Sequence, residues 1–179
     1  MTEQPPTLTL REAGRHDIAA ITAIYNHYIE NTVITFEEDP LTPADMQQRH
    51  AAIAQAGLPW LVACEGTERL GYAYVSPWKP RSAFRYSVET SIYLAPQAAG
   101  RGIGKALFAE LDQRLACLPV RFAGAVIALP NDASVRLHEQ FGYRKIGRAA
   151  EVGYKFGRWL DVGYWQKHFA FEPGGPAAD

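Results

Sequence analysis

The chain has 179 residues and a formal net charge of −1; 47% of its residues are hydrophobic and 21% are charged. A chain of this length and composition predicts one compact domain with a hydrophobic core. The near-neutral charge argues against a nucleic-acid partner, and no apolar run is long enough to indicate a membrane partner. Residues 1–6 lack the apolar segment of a secretory signal. Cys64 and Cys117 lack metal-ligand spacing, so we expect no metal, reduced thiols and a cytoplasmic location.

The periodicity of the apolar residues predicts seven strands and four helices. Alternating or short apolar runs predict strands at residues 7–11, 60–64, 70–75, 88–94, 122–129, 143–146 and 159–169. Spacings of three and four residues, with N-cap and C-cap residues, predict helices at residues 17–29, 42–56, 103–115 and 131–141. Two prolines in residues 77–81 predict a loop. This order predicts a mixed α/β sheet with helices on both faces, in a single domain at residues 7–169 between flexible termini at residues 1–6 and 170–179.

A glycine-rich turn joins the fourth strand to the third helix. Glycine occupies every second position of residues 100–104, so the backbone can curl with its N–H groups pointing inward. The helix that begins at Ile103 adds the positive end of its dipole, and Arg101 and Lys105 add full charges. The turn therefore predicts a site for a phosphate or pyrophosphate, with a tight turn that binds no ligand as the alternative.

Two common phosphate sites do not fit this turn. A dinucleotide fold would place the turn after the first strand, with an acidic residue about 20 positions further on, whereas residues 119–121 are Pro-Val-Arg. A nucleoside-triphosphate loop would require Ser or Thr after Lys105, where this chain has Ala106. The interpretation that remains is a cofactor anchored by its pyrophosphate, with a reactive arm that runs along the preceding strand.

Motifs along most of the chain resemble those of the GNAT N-acetyltransferases, and in particular the phosphinothricin and methionine sulfoximine acetyltransferases. They are IYNHY at residues 24–28, VETSIYL at 88–94, GRGIG at 100–104, LPNDASVRLHE at 129–139, FGY at 141–143 and GRWLDVGYWQ at 157–166. The resemblance spans residues 8–169 and implies the GNAT fold, acetyl-CoA as the cosubstrate and a homodimer. One position departs from the family pattern, because Ala99 stands where a Gln or Arg usually opens the pyrophosphate signature.

The resemblance also implies roles for individual residues. Glu89 would be the general base, and His138 stands where many GNAT enzymes have a tyrosine that acts as a general acid. A histidine at this position can donate a proton to the thiolate or take one from the acceptor amine through water. From the residues alone, a solvated strand glutamate and a structural helix histidine are the alternatives. We expect backbone N–H groups near Tyr93 and Leu94 to polarise the thioester carbonyl. The residues implied to bind acetyl-CoA are Ile92, Tyr93, Leu94, Arg101, Gly102, Ile103, Gly104, Lys105, Asn131 and Ser134.

The acceptor is expected to be a small zwitterionic amino-acid analogue. The cations Lys79, Arg81 and Arg85 precede Glu89 and could bind an acceptor carboxylate, although surface solvation explains any one of them equally well. The resemblance implies that Phe36 lines the pocket for the apolar side chain of the acceptor. It also implies that residues 155–161 complete this pocket, either from the same subunit or from a neighbouring one. The alternatives are another amine acceptor (a polyamine, an aminoglycoside or a protein N-terminus) and a non-catalytic CoA-binding sensor.

Overall fold

The computed structural model describes residues 7–174, so the predictions for residues 1–6 and 175–179 lie outside the described residues. The strands are β1 Leu8–Glu12, β2 Trp60–Glu65, β3 Glu68–Pro77, β4 Ser87–Leu94, β5 Phe122–Leu129, β6 Arg144–Lys155 and β7 Arg158–His168. The helices are α1 Ile18–Asn31, α2 Pro43–Gln55, α3 Ile103–Ala116 and α4 Asp132–Gln140, with short 3-10 turns at Arg15–Asp17, Ser82–Phe84 and Pro96–Ala98. The predicted order of strands and helices is confirmed.

The strands form one sheet in the order β1-β2-β3-β4-β5-β7-β6, in which only β4 and β5 are parallel neighbours within residues 7–174. Helices cover both faces. Tyr25 of α1 lies against Tyr93 of β4 with ring centroids 5.0 Å apart, whereas Leu94 of the same strand meets Gly104 of α3 on the other face. The predicted fold class, a mixed sheet between two layers of helices, is confirmed. Between residues 7 and 174, no helix has the length and apolar character needed to cross a membrane.

Local sequence signals account for the helices beside the cleft. Thr42 and Asp45 exchange hydrogen bonds at the start of α2, since the Thr42 hydroxyl accepts from the Asp45 N–H at 3.2 Å and the Asp45 carboxylate accepts from the Thr42 N–H at 2.9 Å. In α3, the apolar residues at every fourth position are all buried; they are Ile103, Leu107, Leu111 and Leu115. Helix α3 therefore buries the stripe that the sequence indicates, and this fixes its N-terminus beside the end of β4.

The predicted loop at residues 77–81 begins too early, because β3 extends to Pro77. Backbone hydrogen bonds link Ala95 to Leu70 at one end of the β3–β4 ladder and Trp78 to Ser87 at the other. Bonded pairs alternate along an antiparallel ladder, so Pro77, which lies opposite Val88, falls at a pair that exchanges no bond. The missing N–H of proline therefore costs the ladder nothing at this position.

The predicted strand at residues 143–146 is too short, because β6 continues to Lys155. A two-residue turn of Phe156 and Gly157, both with positive φ (51° and 73°), joins β6 to β7. This is the turn geometry that matches the twist of a hairpin. The ladder is irregular between Ala149 and Gly153, where extra residues on β6 break the alternation on which the prediction relied.

A buried ion cluster joins β1 to β3. Asp17 is fully buried and accepts hydrogen bonds from Arg11 at 2.7 and 2.8 Å, from Arg69 at 2.8 Å and from the Gly14 N–H at 2.8 Å. Burial by itself raises the pKa of this carboxyl, but the guanidinium of Arg11, the N–H of Gly14 and the guanidinium of Arg69 together hold it well below its usual range. The cluster fixes the start of α1 relative to the sheet.

Contacts continue past the predicted domain boundary at residue 169. Phe171 lies against Tyr86 with ring centroids 4.9 Å apart, and Glu172 pairs with Arg121 at 3.1 Å. Both contacts join the chain after β7 to the region where β4 and β5 begin.

Candidate active site

The central feature of the molecule is a cleft where two neighbouring strands separate. Strands β4 and β5 pair only over three residues, Ser87–Glu89 with Phe122–Gly124. Strand β5 remains paired with β7 along its whole length on the other side, whereas within residues 7–174 the rest of β4 has no strand partner on the β5 side. A cavity of about 340 Å³ opens between the two strands, lined by residues of α1, β4, the glycine turn, β5 and α4.

The ladder determines which backbone groups of β4 face this cleft. Tyr93 is at a bonded pair with β3, because bonded pairs alternate from Ala95 to Ser87. The N–H and C=O groups of Ile92 and Leu94 therefore point away from β3 and into the cleft. The Tyr93 amide is used in the sheet, so among the N–H groups near Tyr93 and Leu94 those of the two flanking residues are the ones that face the cleft. Ile92 presents a cleft-facing N–H that no strand pairing takes up.

The glycine turn closes one end of the cleft. Gly100 and Gly102 have positive φ angles of 74° and 79°, a conformation that glycine adopts without strain. A Cβ on Gly104 would lie 3.3 Å from Leu94 Cδ1, so glycine permits the close approach of α3 to β4. These three glycines and Lys105 line the cavity, whereas the side chain of Ile103 is buried in the core. Backbone N–H groups at the start of a helix, next to a lysine, fit a pyrophosphate.

Arg101 does not lie in the cavity wall. Its guanidinium pairs with the carboxylate of Glu65 at the end of β2, with the closest atoms 2.7 Å apart. The carboxylate is a stronger local partner than water, so it draws the side chain away from the turn. Of the two predicted cations, the structure therefore brings only Lys105 to the cleft.

Helix α4 contributes the wall opposite the turn. Asn131 caps this helix, because its side-chain oxygen accepts from the Ser134 N–H at 3.2 Å. Asn131 and Ser134 both line the cavity, as the resemblance implies. The capping role that the residues alone indicate and a position at the cofactor site are thus compatible.

His138 of α4 is buried beside the point where the strands separate. Its Nδ1 lies 2.8 Å from the Ser134 carbonyl oxygen, which can only accept, so Nδ1 carries the proton of the neutral ring. The other nitrogen, Nε2, lies 3.5 Å from the Thr90 hydroxyl. Burial lowers the pKa of His138, and the Ser134 carbonyl opposes this shift only in part. The imidazole is therefore neutral at physiological pH, which favours a proton acceptor over a proton donor.

Glu89 is the last residue of β4 that pairs with β5, and its side chain projects on the α1 face. The side chain is half-buried, and no residue from 7 to 174 forms a hydrogen bond with its carboxylate. Burial raises the pKa of Glu89, while the positive charge of Lys79 lowers it by a smaller amount. Burial raises the pKa of Tyr74 and of Tyr93, and the Glu89 charge adds a smaller contribution in the same direction.

A polar network on the α1 face lies beyond these tyrosines. The Tyr25 hydroxyl lies 2.9 Å from the Thr35 hydroxyl and donates to Glu37 at 2.8 Å, and Arg49 binds Glu37 through two hydrogen bonds of 2.7 and 2.8 Å. The buried Lys155, at the end of β6, donates to the Thr35 carbonyl at 2.9 Å. The network thus ties the hairpin between β6 and β7 to the loop after α1. No sequence pattern indicated it, because its members come from four separate segments.

The predicted acceptor-binding residues are divided between two places. Lys79, Arg81 and Arg85 line a second cavity of about 440 Å³ near the start of β4, where Lys79 lies 5.1 Å from the Trp78 ring and Arg85 lies 4.7 Å from the Tyr86 ring. Phe36 instead lies against Gly153 of β6, at a site where any Cβ would meet its ring at 2.2 Å. Of the three cations, only Lys79 shifts the pKa of Glu89.

Several residues of the cleft wall were absent from the predicted site. Tyr28 and Ile34 line the wall from the α1 side, and Val126 and Leu137 line it from β5 and α4. Tyr28 belongs to the IYNHY motif at residues 24–28, for which the resemblance implies no role of this tyrosine. The spacing that marks it as a helical core residue carries no sign that its hydroxyl reaches the sheet.

The model of the Acetyltransferase (GNAT) family matches residues 21–143 of this chain. The chain belongs to this family. A phosphinothricin N-acetyltransferase of Streptomyces coelicolor is 42% identical over 161 residues, which is 88% of this chain and 94% of that protein. An L-methionine sulfoximine/L-methionine sulfone acetyltransferase of Pseudomonas paraeruginosa is 38% identical over 159 residues, which is 88% of this chain and 92% of that protein.

A solved GNAT structure has the same fold. The phosphinothricin acetyltransferase of Sinorhizobium meliloti, in complex with acetyl-CoA, superposes with a TM-score of 0.90 at 40% identity, over 95% of this chain and 93% of that one. The predicted family, the GNAT fold and an acetyltransferase activity are thereby confirmed.

Proposed function

We propose that this GNAT protein transfers an acetyl group from acetyl-CoA to the α-amine of a small amino-acid analogue of the phosphinothricin or methionine sulfoximine type. The observation that carries the proposal is the separation of β4 from β5, which leaves the Ile92 N–H free between the glycine turn and Glu89. Relatives named for these two acceptors each align with 88% of this chain, which supports this acceptor class.

The residues of the cleft fit acetyl-CoA. The N–H groups around Gly102 and Gly104, together with Lys105, would hold the pyrophosphate, and Asn131 and Ser134 line the path of the pantetheine arm. When bound, acetyl-CoA supplies a thioester whose carbonyl carbon an amine can attack. Ile92 is the donor that its carbonyl oxygen would meet, since a fixed N–H stabilises the negative charge that develops there.

Glu89 is the proposed general base. In the transfer, the amine nitrogen forms a bond to the carbonyl carbon, the carbon–sulfur bond breaks, and the leaving thiolate takes up a proton. An α-ammonium must first lose a proton, and the Glu89 carboxylate would accept it directly or through a water molecule. A half-buried carboxylate with a raised pKa and no hydrogen-bond partner among residues 7–174 is suited to this step.

His138 is proposed to act as a neutral proton acceptor at the cleft, and not as an imidazolium acid. Its Nδ1–H is committed to the Ser134 carbonyl, and its pKa is lowered by burial. Replacement by asparagine should therefore lower kcat about a hundredfold, at the weak end of general acid–base effects. A kcat profile from pH 5.5 to 9 checks this; a loss that also removes the basic limb would contradict it.

The acceptor's anionic group is proposed to bind Lys79, Arg81 and Arg85. The wall of their cavity contains three cations and no Asp or Glu among the described residues, which favours an anion. Phe36 would contact the apolar part of the acceptor, next to the hairpin of β6 and β7. Arg81→Gln should raise KM for the acceptor and leave KM for acetyl-CoA unchanged; equal effects on both constants would count against this assignment.

A homodimer is proposed to form through the hairpin between β6 and β7. Large side chains of this hairpin are exposed, with Trp159 61% exposed; the others are Val152, Tyr154 and Phe156. A cluster of exposed apolar groups on one hairpin marks an interaction surface, and a second copy of this chain would bury the same residues on both sides. Sedimentation of the wild type should give a dimer and that of Trp159→Lys a monomer. A monomeric wild type would refute this part of the proposal.

Residues 7–169 are proposed to form the catalytic domain, and the cytoplasm is proposed as the location of the protein. Cys64 and Cys117 form no disulfide, which supports a reducing compartment. A fragment of residues 7–169 should keep the activity of the full chain. Loss of activity in a folded fragment would move the boundary toward Phe171 and Glu172, which contact the sheet region.

Release of the CoA thiol with a panel of amines tests the acceptor class. The panel contains phosphinothricin, methionine sulfoximine, methionine sulfone, spermidine, an aminoglycoside and a peptide with a free N-terminus. We expect turnover with the first three and little with the polycations, because the cavity lined by Lys79, Arg81 and Arg85 carries positive charge. A preference for spermidine or the aminoglycoside would favour a different acceptor. Tight binding of acetyl-CoA without turnover of any amine would favour a CoA-binding sensor.

A further inference from the structure

A side chain of α1 takes the place of a strand at the open end of β4. Leu94 points its N–H and C=O into the cleft, where β5 is too far away to pair with them. The Tyr28 hydroxyl meets both groups, because it donates to the Leu94 carbonyl oxygen at 2.7 Å and accepts from the Leu94 N–H at 3.3 Å. Buried backbone groups require such partners, and one phenol supplies both of them here.

Tyr28 is held from several directions. Its ring packs edge-on against Tyr93 with centroids 5.2 Å apart, and against His27 with centroids 5.7 Å apart. Its carbonyl accepts from the Thr32 hydroxyl at 2.8 Å, where α1 ends. Burial raises the pKa of Tyr28 more than the Leu94 bond lowers it, so the hydroxyl keeps its proton at neutral pH. The hydroxyl is therefore protonated and able to donate to the Leu94 carbonyl.

The contact between Tyr28 and Leu94 also affects Ile92, the neighbouring residue of β4 that faces the cleft. Ile92 lies two residues before Leu94 and presents its N–H to the same side, without a strand partner. A strand end that is paired on one side only rotates more easily than one paired on both sides, and a small rotation would turn this N–H away from an oxygen in the cleft. The Tyr28 bond suppresses that rotation by giving Leu94 the two hydrogen bonds of a paired residue.

We propose that Tyr28 is a positioning residue for acetyl transfer, which holds Leu94 so that the Ile92 N–H is aimed at the thioester oxygen. The inference rests on the proposed function, in which that N–H stabilises the charge that develops on the oxygen. Loss of an entire oxyanion donor costs about 100- to 1,000-fold in kcat. A donor that is loosened and not removed should cost less, so we expect Tyr28→Phe to lower kcat about tenfold, with KM for acetyl-CoA within about twofold.

The experiment compares Tyr28→Phe with Tyr72→Phe. Tyr72 belongs to the same aromatic cluster, with its ring centroid 5.5 Å from that of Tyr93, but within residues 7–174 its hydroxyl forms no hydrogen bond. Both variants lose one oxygen atom and keep the ring. Amide hydrogen exchange of Leu94 in the free protein should accelerate in Tyr28→Phe alone. The infrared carbonyl stretch of bound acetyl-CoA, labelled with ¹³C at the carbonyl, should shift less from its value in water in Tyr28→Phe than in the wild type.

A Tyr28→Phe variant with the wild-type carbonyl stretch and the wild-type kcat would overturn the inference. An equal fall of kcat in Tyr72→Phe would overturn it as well, because the effect would then come from the aromatic packing. Either result would leave the proposed function intact as long as the wild type acetylates an amine. A wild type that binds acetyl-CoA and acetylates none of the amines would refute the proposed function itself, whatever the hydrogen exchange of Leu94 shows.

Discussion

Replacement of Glu89 by glutamine tests the proposed base directly. Glutamine has the same shape and no charge, so it removes the proton acceptor and preserves the packing around β4. General-base catalysis contributes about 100- to 10,000-fold, which corresponds to about 3 to 5.5 kcal/mol of barrier. We expect a loss near the lower end of this range, because a carboxylate without hydrogen-bond partners among residues 7–174 leaves space for a water molecule that can still carry the proton.

The raised pKa of Glu89 determines how kcat/KM should change with pH. The folded pKa of Glu89 is raised above the usual 4.5, so the base becomes active only as the pH rises through that higher value. The acid limb of kcat/KM should lie above pH 4.5 in the wild type and disappear in Glu89→Gln, whose residual rate should follow the neutral fraction of the amine. Lys79→Gln should move the limb to higher pH, because the Lys79 charge lowers this pKa.

Stability should change in the opposite direction to activity. A carboxyl whose folded pKa is raised favours the folded state when protonated, and it loses that contribution as the pH rises through the folded pKa. At neutral pH the charged Glu89 therefore lowers the free energy of unfolding, and Glu89→Gln should have a Tm at least equal to that of the wild type. A loss of activity at unchanged or higher Tm separates catalysis from misfolding.

The measurement is thiol release from acetyl-CoA with methionine sulfoximine, from pH 5 to 9.5, beside thermal unfolding at pH 7. Glu30→Gln is a matched control, since Glu30 is exposed on α1 and forms no salt bridge or hydrogen bond within residues 7–174. A Glu89→Gln enzyme with kcat/KM within twofold of the wild type and an unchanged acid limb would refute the reasoning.

Two further changes test the cofactor site and the ion cluster. Lys105→Ala should raise KM for acetyl-CoA about tenfold at constant kcat, because a charge-assisted hydrogen bond to phosphate is worth about 1.5 kcal/mol. Arg101→Ala should change that KM by less than twofold, because the Arg101 guanidinium is paired with Glu65. A larger effect of Arg101→Ala than of Lys105→Ala would show that Arg101 binds the cofactor. Asp17→Asn should lower the free energy of unfolding by about 3 kcal/mol, because it leaves two guanidinium groups without their shared anion. The folded pKa of Asp17 is depressed below 3.8, so this stability is present above pH 4 and is lost as the pH falls further. The free energies of unfolding of wild type and variant, measured by urea titration, should therefore converge at low pH. A constant difference between them down to pH 2 would contradict this.

Sequence patterns predicted the fold and one end of the site because those features depend on local residues. The apolar stripe of α3, the cap at Thr42 and the alternating glycines each depend on neighbours within a few positions. Lys105, Asn131 and Ser134, which the resemblance names, line the cleft, and their motifs include the elements that position them. The predicted β6 was too short because an irregular ladder hides the alternation of its residues.

The sequence by itself therefore determined the order of strands and helices, the glycine turn and the family. Only the tertiary structure decided which partners the side chains take. Arg101 pairs with Glu65, 36 residues away, and Tyr28 bonds to Leu94, 66 residues away. The direction of the Ile92 N–H depends on the register between β3 and β4, which no single strand contains. Periodicity reports only which face a residue occupies, whereas hydrogen-bond partners depend on distances that are established when the separate elements pack together.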